Sequence, residues 1–147
     1  MTEPSWPCAC ATARHVARTL TQFYDAVLRA AGLEAPQFAL LQTLAKGGPQ
    51  TQAALGRRYA LDKTTVSRNL RWLEQRGWVA PTAGADRRER RFALTAAGRR
   101  RVAAAQPKWR GAQERLRGQM SDAEWAAMFR AFRSVVAAAD RAKQVAR

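Results

Sequence analysis

Three groups of residues in this 147-residue chain have the types and spacing to do chemistry. The first is Cys8 and Cys10, the only cysteines, in "PCACATARHVARTLTQFYD". Thiols so placed suit a soft-ion clip, a redox switch, or no more than small buried apolar side chains. A disulfide between them would close a small strained ring, and two thiolates are too few for a closed zinc site. The second group is Lys63, Thr64, Thr65, Ser67, Arg68 and Arg71 in "LDKTTVSRNLRWLEQRGW". Hydroxyls and cations near the start of a helix suit phosphates and base edges, and the helix dipole favours phosphate there. The third is Asp86, Arg87, Arg88, Arg90 and Arg91 in "ADRRERRFALT". A basic tip of this kind can follow a phosphate backbone or enter a narrow minor groove, with Asp86 placed to orient Arg88 by an ion pair.

Charge points the same way. The chain carries a net charge of +15, and residues 57–101 hold 13 of the 26 basic but only 4 of the 11 acidic side chains. A polyanion is the natural partner of that segment, and nucleic acid is the commonest one. Catalysis has little to stand on. There is one histidine, His15, expected as a surface or interface residue, and no carboxylate cluster, phosphate loop or nucleophile motif. No catalytic residue, metal or cofactor is therefore expected. No apolar run approaches the roughly 20 residues that cross a bilayer. Glu3 and Pro4 stand where a secretory signal would be basic and then apolar. These features lead to the expectation of a cytoplasmic protein with reduced cysteines.

The elements that must position these groups follow from periodicity and punctuation. Val16, Leu20, Phe23, Val27 and Leu28 recur at helical spacing over residues 8–31, and Gly32 stops that helix. Pro7 allows its first turn to fray. Pro36 suits the first turn of a second helix, "PQFALLQTLAK", apolar on most sides and therefore central. Thr51 can cap a short helix carrying Ala54, Leu55 and Tyr59. Asp62 can cap the next, whose buried stripe is Val66, Leu70 and Leu73 and whose end is Gly77. Two short helices around a tight connection form a helix-turn-helix pattern. Trp78 to Ala80 and Arg90 to Leu94 predict a two-stranded hairpin around a turn-rich Pro81–Asp86. Thr95 caps a long helix towards Gln119, interrupted or kinked near Pro107. Ser121 and Glu124 form a capping box before a last helix with Trp125, Met128, Phe129, Phe132, Val135, Val136 and Ala139 in one stripe. The fold class is mainly α with a small β-hairpin, in a single domain over 1–147. One chain would struggle to cover that last stripe, which favours dimerisation.

"TQAALGRRYALDKTTVSRNLRWLEQRGWV" followed by "ADRRERRFALTAAG" resembles the winged helix-turn-helix of the MarR-family transcription regulators, and the flanking helices follow that family's order. The resemblance implies a homodimer joined through terminal helices, 8–31 and 95–143, around a winged helix-turn-helix at 36–94. It implies double-stranded DNA with a pseudo-palindromic operator, with Asp62–Arg76 in a major groove and the wing in the adjacent minor groove. The family's base- and phosphate-contacting positions fall on Thr64, Thr65, Ser67 and Arg68, and its minor-groove arginine on Arg88. It also implies gene regulation, here as a repressor, with release by a small aromatic effector or an oxidant acting near the first helix. In the organic-peroxide-sensing branch, Cys10 matches the reactive cysteine and Tyr24 one tyrosine of the partner subunit. Arg14 stands where that branch has another tyrosine. Arg14 is also one helical turn from Cys10, where a cation favours thiolate. Cys10, Cys8, Tyr24 and Arg14 are thus the redox-sensing candidates. The competing class is a basic helical scaffold or RNA-binding protein without sequence-specific reading, which leaves the hydroxyl-lined helix and the hairpin without a role.

Overall fold

The computed structural model of the chain describes residues 8–84 and 86–145. The expectations resting on Glu3, Pro4 and Pro7 lie outside the described residues. The elements are α1 (Ala9–Leu28), a 3-10 turn (Arg29–Ala31), α2 (Ala35–Gly47), β1 (Gln50–Thr51), α3 (Gln52–Tyr59), α4 (Lys63–Gln75), β2 (Val79–Ala83), β3 (Arg90–Leu94), α5 (Ala96–Gly118) and α6 (Asp122–Val145). Among them no helix is long and apolar enough to cross a membrane. The chain divides into two compact units, Met1–Arg110 and Gly111–Arg147.

In the first unit, each helix begins and ends where its local chemistry dictates. Gly32 turns the chain at φ 70° after α1, as only glycine does without strain. Glu34 and Gln37 form a capping box on α2, and the Asp25 carboxylate accepts the Ala35 N–H at 2.6 Å, tying α1 to α2. Thr51 Oγ accepts the Ala54 N–H at 3.1 Å, and Asp62 caps α4. At the end of α4 the Trp78 N–H reaches the Leu73 carbonyl at 3.1 Å, with Gly77 at φ 71° between them. α2 is central, with Phe38, Leu40, Leu41 and Leu44 buried. Around them pack Leu28, Leu55, Val66, Leu70, Leu73, Val79, Phe92 and Leu94. Each such side chain contributes about 1.5–3 kcal/mol on leaving water.

The sheet differs from the expected hairpin in two ways. It has three strands in the order β1-β3-β2, because Gln50 and Thr51 pair with Phe92 and Arg91. Two residues are too few to reveal a period of two in sequence. β2 also continues through Pro81 to Ala83 instead of turning at Pro81. Hydrogen bonds from the Thr95 N–H to the Trp78 carbonyl and from the Gly84 N–H to the Glu89 carbonyl mark the even-numbered residues of β2 as the hydrogen-bonded positions. By alternation Pro81, opposite Phe92, is a non-hydrogen-bonded position on an edge strand, so its missing N–H costs the ladder nothing.

α5 runs unbroken through Pro107, contrary to the expected interruption. Pro107 and Ala103 are both exposed, so water can take the carbonyl that proline leaves without a donor. The start of α5 is clasped to the end of α4. Thr95 Oγ accepts the Gly98 N–H at 3.0 Å and donates to the Gly77 carbonyl at 2.5 Å, and the Thr95 N–H donates to the Trp78 carbonyl at 3.1 Å.

In the second unit, Ser121 and Glu124 form the expected capping box, with the Ser121 N–H donating to Glu124 Oε2 at 2.7 Å. Arg117 bonds the Asp122 carboxylate and lies 5.5 Å over the Trp125 ring. No described residue of α6 is buried. Trp125, Phe129 and Phe132 form an edge-to-face ladder along it, with Phe129 at 40% and Phe132 at 42% exposure.

A Cβ placed on Gly98 would sit 2.0 Å from the Trp78 carbonyl oxygen. Gly98→Ala is therefore expected to lower the unfolding free energy by about 2 kcal/mol through overpacking. Urea unfolding monitored by circular dichroism measures it, and an unchanged midpoint would show that the clasp yields freely.

Candidate nucleic-acid interface

α4 owes its orientation to Val66, Leu70 and Leu73, each at most 1% exposed, which turn the opposite face of the helix to solvent. On that face Lys63, Thr64, Ser67, Arg68 and Arg71 line a single shallow groove of about 350 Å³. Five of the six α4 residues singled out from sequence are therefore brought together. Thr65 stands apart. Its hydroxyl donates to Asp62 Oδ2 at 2.7 Å and its N–H to Asp62 Oδ1 at 2.8 Å, so its proton is committed to the helix cap. What Thr65 retains for a ligand is a methyl group and acceptor lone pairs.

The wing tip is built differently from the expected ion pair. Asp86 Oδ1 accepts the backbone N–H of Arg88 at 3.0 Å, and the Asp86 carbonyl accepts the Glu89 N–H at 3.0 Å. Asp86 thus shapes the turn that presents Arg88 and leaves the guanidinium in solvent. Arg90 and Arg91 lie on β3 and have intramolecular partners. Arg90 sits 3.6 Å from Glu74 of α4 and 5.1 Å over the Phe92 ring, and Arg91 Nε donates to Glu89 at 2.9 Å. Arg87 and Arg88 are exposed at the turn itself.

Sequence reasoning missed several supporting groups. Gln52 Nε2 donates to the Lys63 carbonyl at 3.2 Å, holding α3 against the start of α4. Asn69 Nδ2 donates to the Thr65 carbonyl at 3.0 Å. Trp72, Trp78 and Arg101 join α4 to α5. No periodic signal marks these, although Trp78 directly after the helix-ending Gly77 was a visible clue.

The first helix spreads its candidates along its length. Cys8 and Cys10 are both exposed, which removes the reading of Cys10 as a buried apolar residue within one chain. Cys8 lies at the N-cap of α1. Its sulfur makes no full capping bond, yet the first-turn N–H groups, Ala11's first and then Cys10's, hold its thiol below the ordinary value. Arg14 is exposed. Tyr24 is half-buried, packs edge-on to Phe23 at 5.2 Å and joins the core, and burial raises its pKa. Fourteen helical residues place Tyr24 about 21 Å along the axis from Cys10, so the two do not meet within one chain. Among the described residues no three metal-ligating side chains come together.

The Asp62 cap makes a pH prediction. The Thr65 hydroxyl, and then the Thr65 N–H, hold the Asp62 carboxyl below its ordinary value. The folded value being the lower one, the cap's contribution is complete above the ordinary carboxylate range and is lost as pH falls through the folded value. Asp62→Asn keeps a capping oxygen but cannot titrate. It is expected to flatten that part of the acid stability profile, and urea midpoints between neutral and strongly acid pH that follow wild type throughout would refute this.

With this geometry in place, comparison with known proteins identifies the fold. Residues 33–98 match the family model described as a winged helix DNA-binding domain. The M. tuberculosis transcriptional regulator MosR, in a crystal structure with DNA, is 37% identical, with 91% of this chain and 97% of that one covered at a TM-score of 0.80. Wild-type MarR from E. coli is 18% identical and shares the fold at a TM-score of 0.70, covering 87% of this chain and 96% of its own. The uncharacterised HTH-type transcriptional regulator YwoH of Bacillus subtilis is 33% identical over 79 residues, 54% of this chain and 58% of YwoH. The capped and outward-turned α4, the wing and the flanking helices are together those of a MarR-family transcriptional regulator, and this chain belongs to that family.

Proposed function

We propose that the chain acts as a homodimeric, sequence-specific DNA-binding repressor that reads a pseudo-palindromic operator. The observation carrying this reading is the α4 groove, where Lys63, Thr64, Ser67, Arg68 and Arg71 share one solvent face. Short polar groups and arginines on one helix face suit a major groove, and the nearby turn of Arg87 and Arg88 suits the adjacent minor groove. Thr65 adds a methyl group for a thymine and lone pairs for a base amine. Arg90, held near Glu74, contributes to the phosphate-facing field. The MosR complex with DNA supports this placement.

The exposed ladder of Phe129 and Phe132, with Val135 and Val136 at 56% and 62% exposure, supports a second copy of the chain as its cover. The terminal helices, 8–31 and 95–143, then form one domain with the winged helix-turn-helix at 36–94. DNA release follows from a small aromatic effector held between the first helix and the winged domain, or from oxidation at Cys10. In the oxidative route the Cys10 thiolate attacks an organic hydroperoxide, breaking its O–O bond to leave a sulfenic acid and an alkoxide that takes a proton from water. Cys8, with its thiol held below the ordinary value, is the resolving candidate: its thiolate attacks the Cys10 sulfenic sulfur and expels hydroxide, and the strained ring so closed is a readily reduced disulfide. Tyr24 belongs to the site only through a partner subunit.

Selection from random duplexes followed by footprinting tests the DNA reading. Two protected half-sites about one helical turn apart are expected. Arg88→Ala should weaken binding to every duplex and reduce the salt slope by about 1, whereas Arg68→Ala should relax base preference at one position by about 1–3 kcal/mol. Binding without any preferred site would favour the scaffold or RNA-binding class. For the signal, hydroperoxide should release DNA from wild type and from Cys8→Ser but not from Cys10→Ser, and excess hydroperoxide should carry Cys8→Ser, which lacks a resolving thiol, past the point where added thiol restores binding. Release that survives Cys10→Ser would end the oxidative reading.

A further inference from the structure

The end of α4 is held by a pair of indoles flanked by two cations, an arrangement that the winged-helix assignment does not require. Arg76, the C-cap of α4, lies 3.4 Å over the Trp72 ring. Trp72 meets Trp78 edge-on, with centroids 5.6 Å apart and planes at 71°. Arg101 of α5 lies 4.5 Å over the Trp78 ring, and its Nη1 donates to the Ala31 carbonyl at 3.0 Å. A Cβ on Gly32 would lie 3.8 Å from that guanidinium and 3.9 Å from Trp78, so the corner between α1 and α2 closes directly on the stack. The Trp78 backbone is pinned as well, its N–H to Leu73 and its carbonyl to Thr95.

We propose that Arg101 is a positioning residue for sequence reading, acting through Trp78 and Trp72 on the rotation of α4. Three apolar side chains bury one stripe of α4 but leave rotation about that stripe soft, since burial is not directional. A planar guanidinium that stacks on a ring and donates in plane to a fixed carbonyl supplies the missing direction. Trp72 follows Arg71 and lies one turn beyond Arg68, so a rotation at the stack is carried to the groove-lining arginines. Arg101 itself does not line the α4 groove. The inference rests on α4 being the DNA-reading helix.

The test compares affinity for the selected site with affinity for a random duplex, in wild type, Arg101→Gln and Arg101→Lys. Both variants are expected to lose about 10-fold for the selected site and less than about 2-fold for random duplex, the scale of one lost base-pair contact. Lysine keeps the charge and a donor without the planar stack, so a folded Arg101→Lys separates positioning from charge. Near-ultraviolet and exciton circular dichroism, with Trp72→Phe and Trp78→Phe identifying the coupled signal of this pair, should show the pair reoriented in both Arg101 variants. An unchanged selectivity in Arg101→Lys together with an unchanged couplet would overturn the proposal. An equal loss on all duplexes would also overturn it, making Arg101 a phosphate contact. A wild type without any preferred site would remove the reading on which the proposal stands, whatever the variants do.

Discussion

Burial of Val66, Leu70 and Leu73 is the constraint on which the rest of the interface depends. Those side chains recur at i, i+4 and i+7, so one face of α4 is committed to the core it shares with α2, α3 and β2. Everything polar on the helix is then displaced to the other side without any further instruction. The cap at Asp62 sets where that face begins, and Gly77 sets where it stops. The cost of turning Lys63, Arg68 and Arg71 outward is small, because each remains in water.

Around this helix the structure separates cations that maintain the fold from cations left for a ligand. Arg76 and Arg101 are absorbed by indole rings, Arg91 by Glu89, and Arg90 by Phe92 and Glu74. Arg68, Arg71, Arg87 and Arg88 are exposed on α4 and the wing. Ion pairs as exposed as those of Arg90 and Arg91 add little to stability, so their effect here is on geometry: Arg90–Glu74 ties β3 to α4, and Arg91–Glu89 shapes the wing itself. Asp86 works in the same sense, spending its carboxylate on the backbone of the turn that carries Arg88.

Much of this was legible beforehand because its causes are local. Helix starts at Thr51, Asp62, Thr95 and Ser121 depend on a side chain reaching an N–H two or three residues on. The buried stripes of α2 and α4 depend on a period of 3.6. The strand β3 appeared at its observed limits, Arg90–Leu94. What escaped detection involves partners far apart in the chain. β1 is two residues whose strand character exists only because Phe92 and Arg91 lie opposite. Pro81 looked like a turn until the ladder showed that its nitrogen faces the open edge. Asp86 and Arg88 looked like an ion pair because charge is visible in sequence and a backbone N–H is not.

The sequence alone determined the helices with their caps, the outward chemistry of α4 and the basic character of the wing, since each follows from neighbours within about one or two turns. Only the structure decided which arginines are free and which are held, and that Thr65 gives its proton to Asp62. It alone also revealed the Arg76–Trp72–Trp78–Arg101 stack. Four side chains from two helices and a strand boundary converge there, and no local pattern in the chain encodes a contact between residues 23 or more positions apart, as Trp78 and Arg101 are. Such contacts exist only once the core has brought α4 and α5 together.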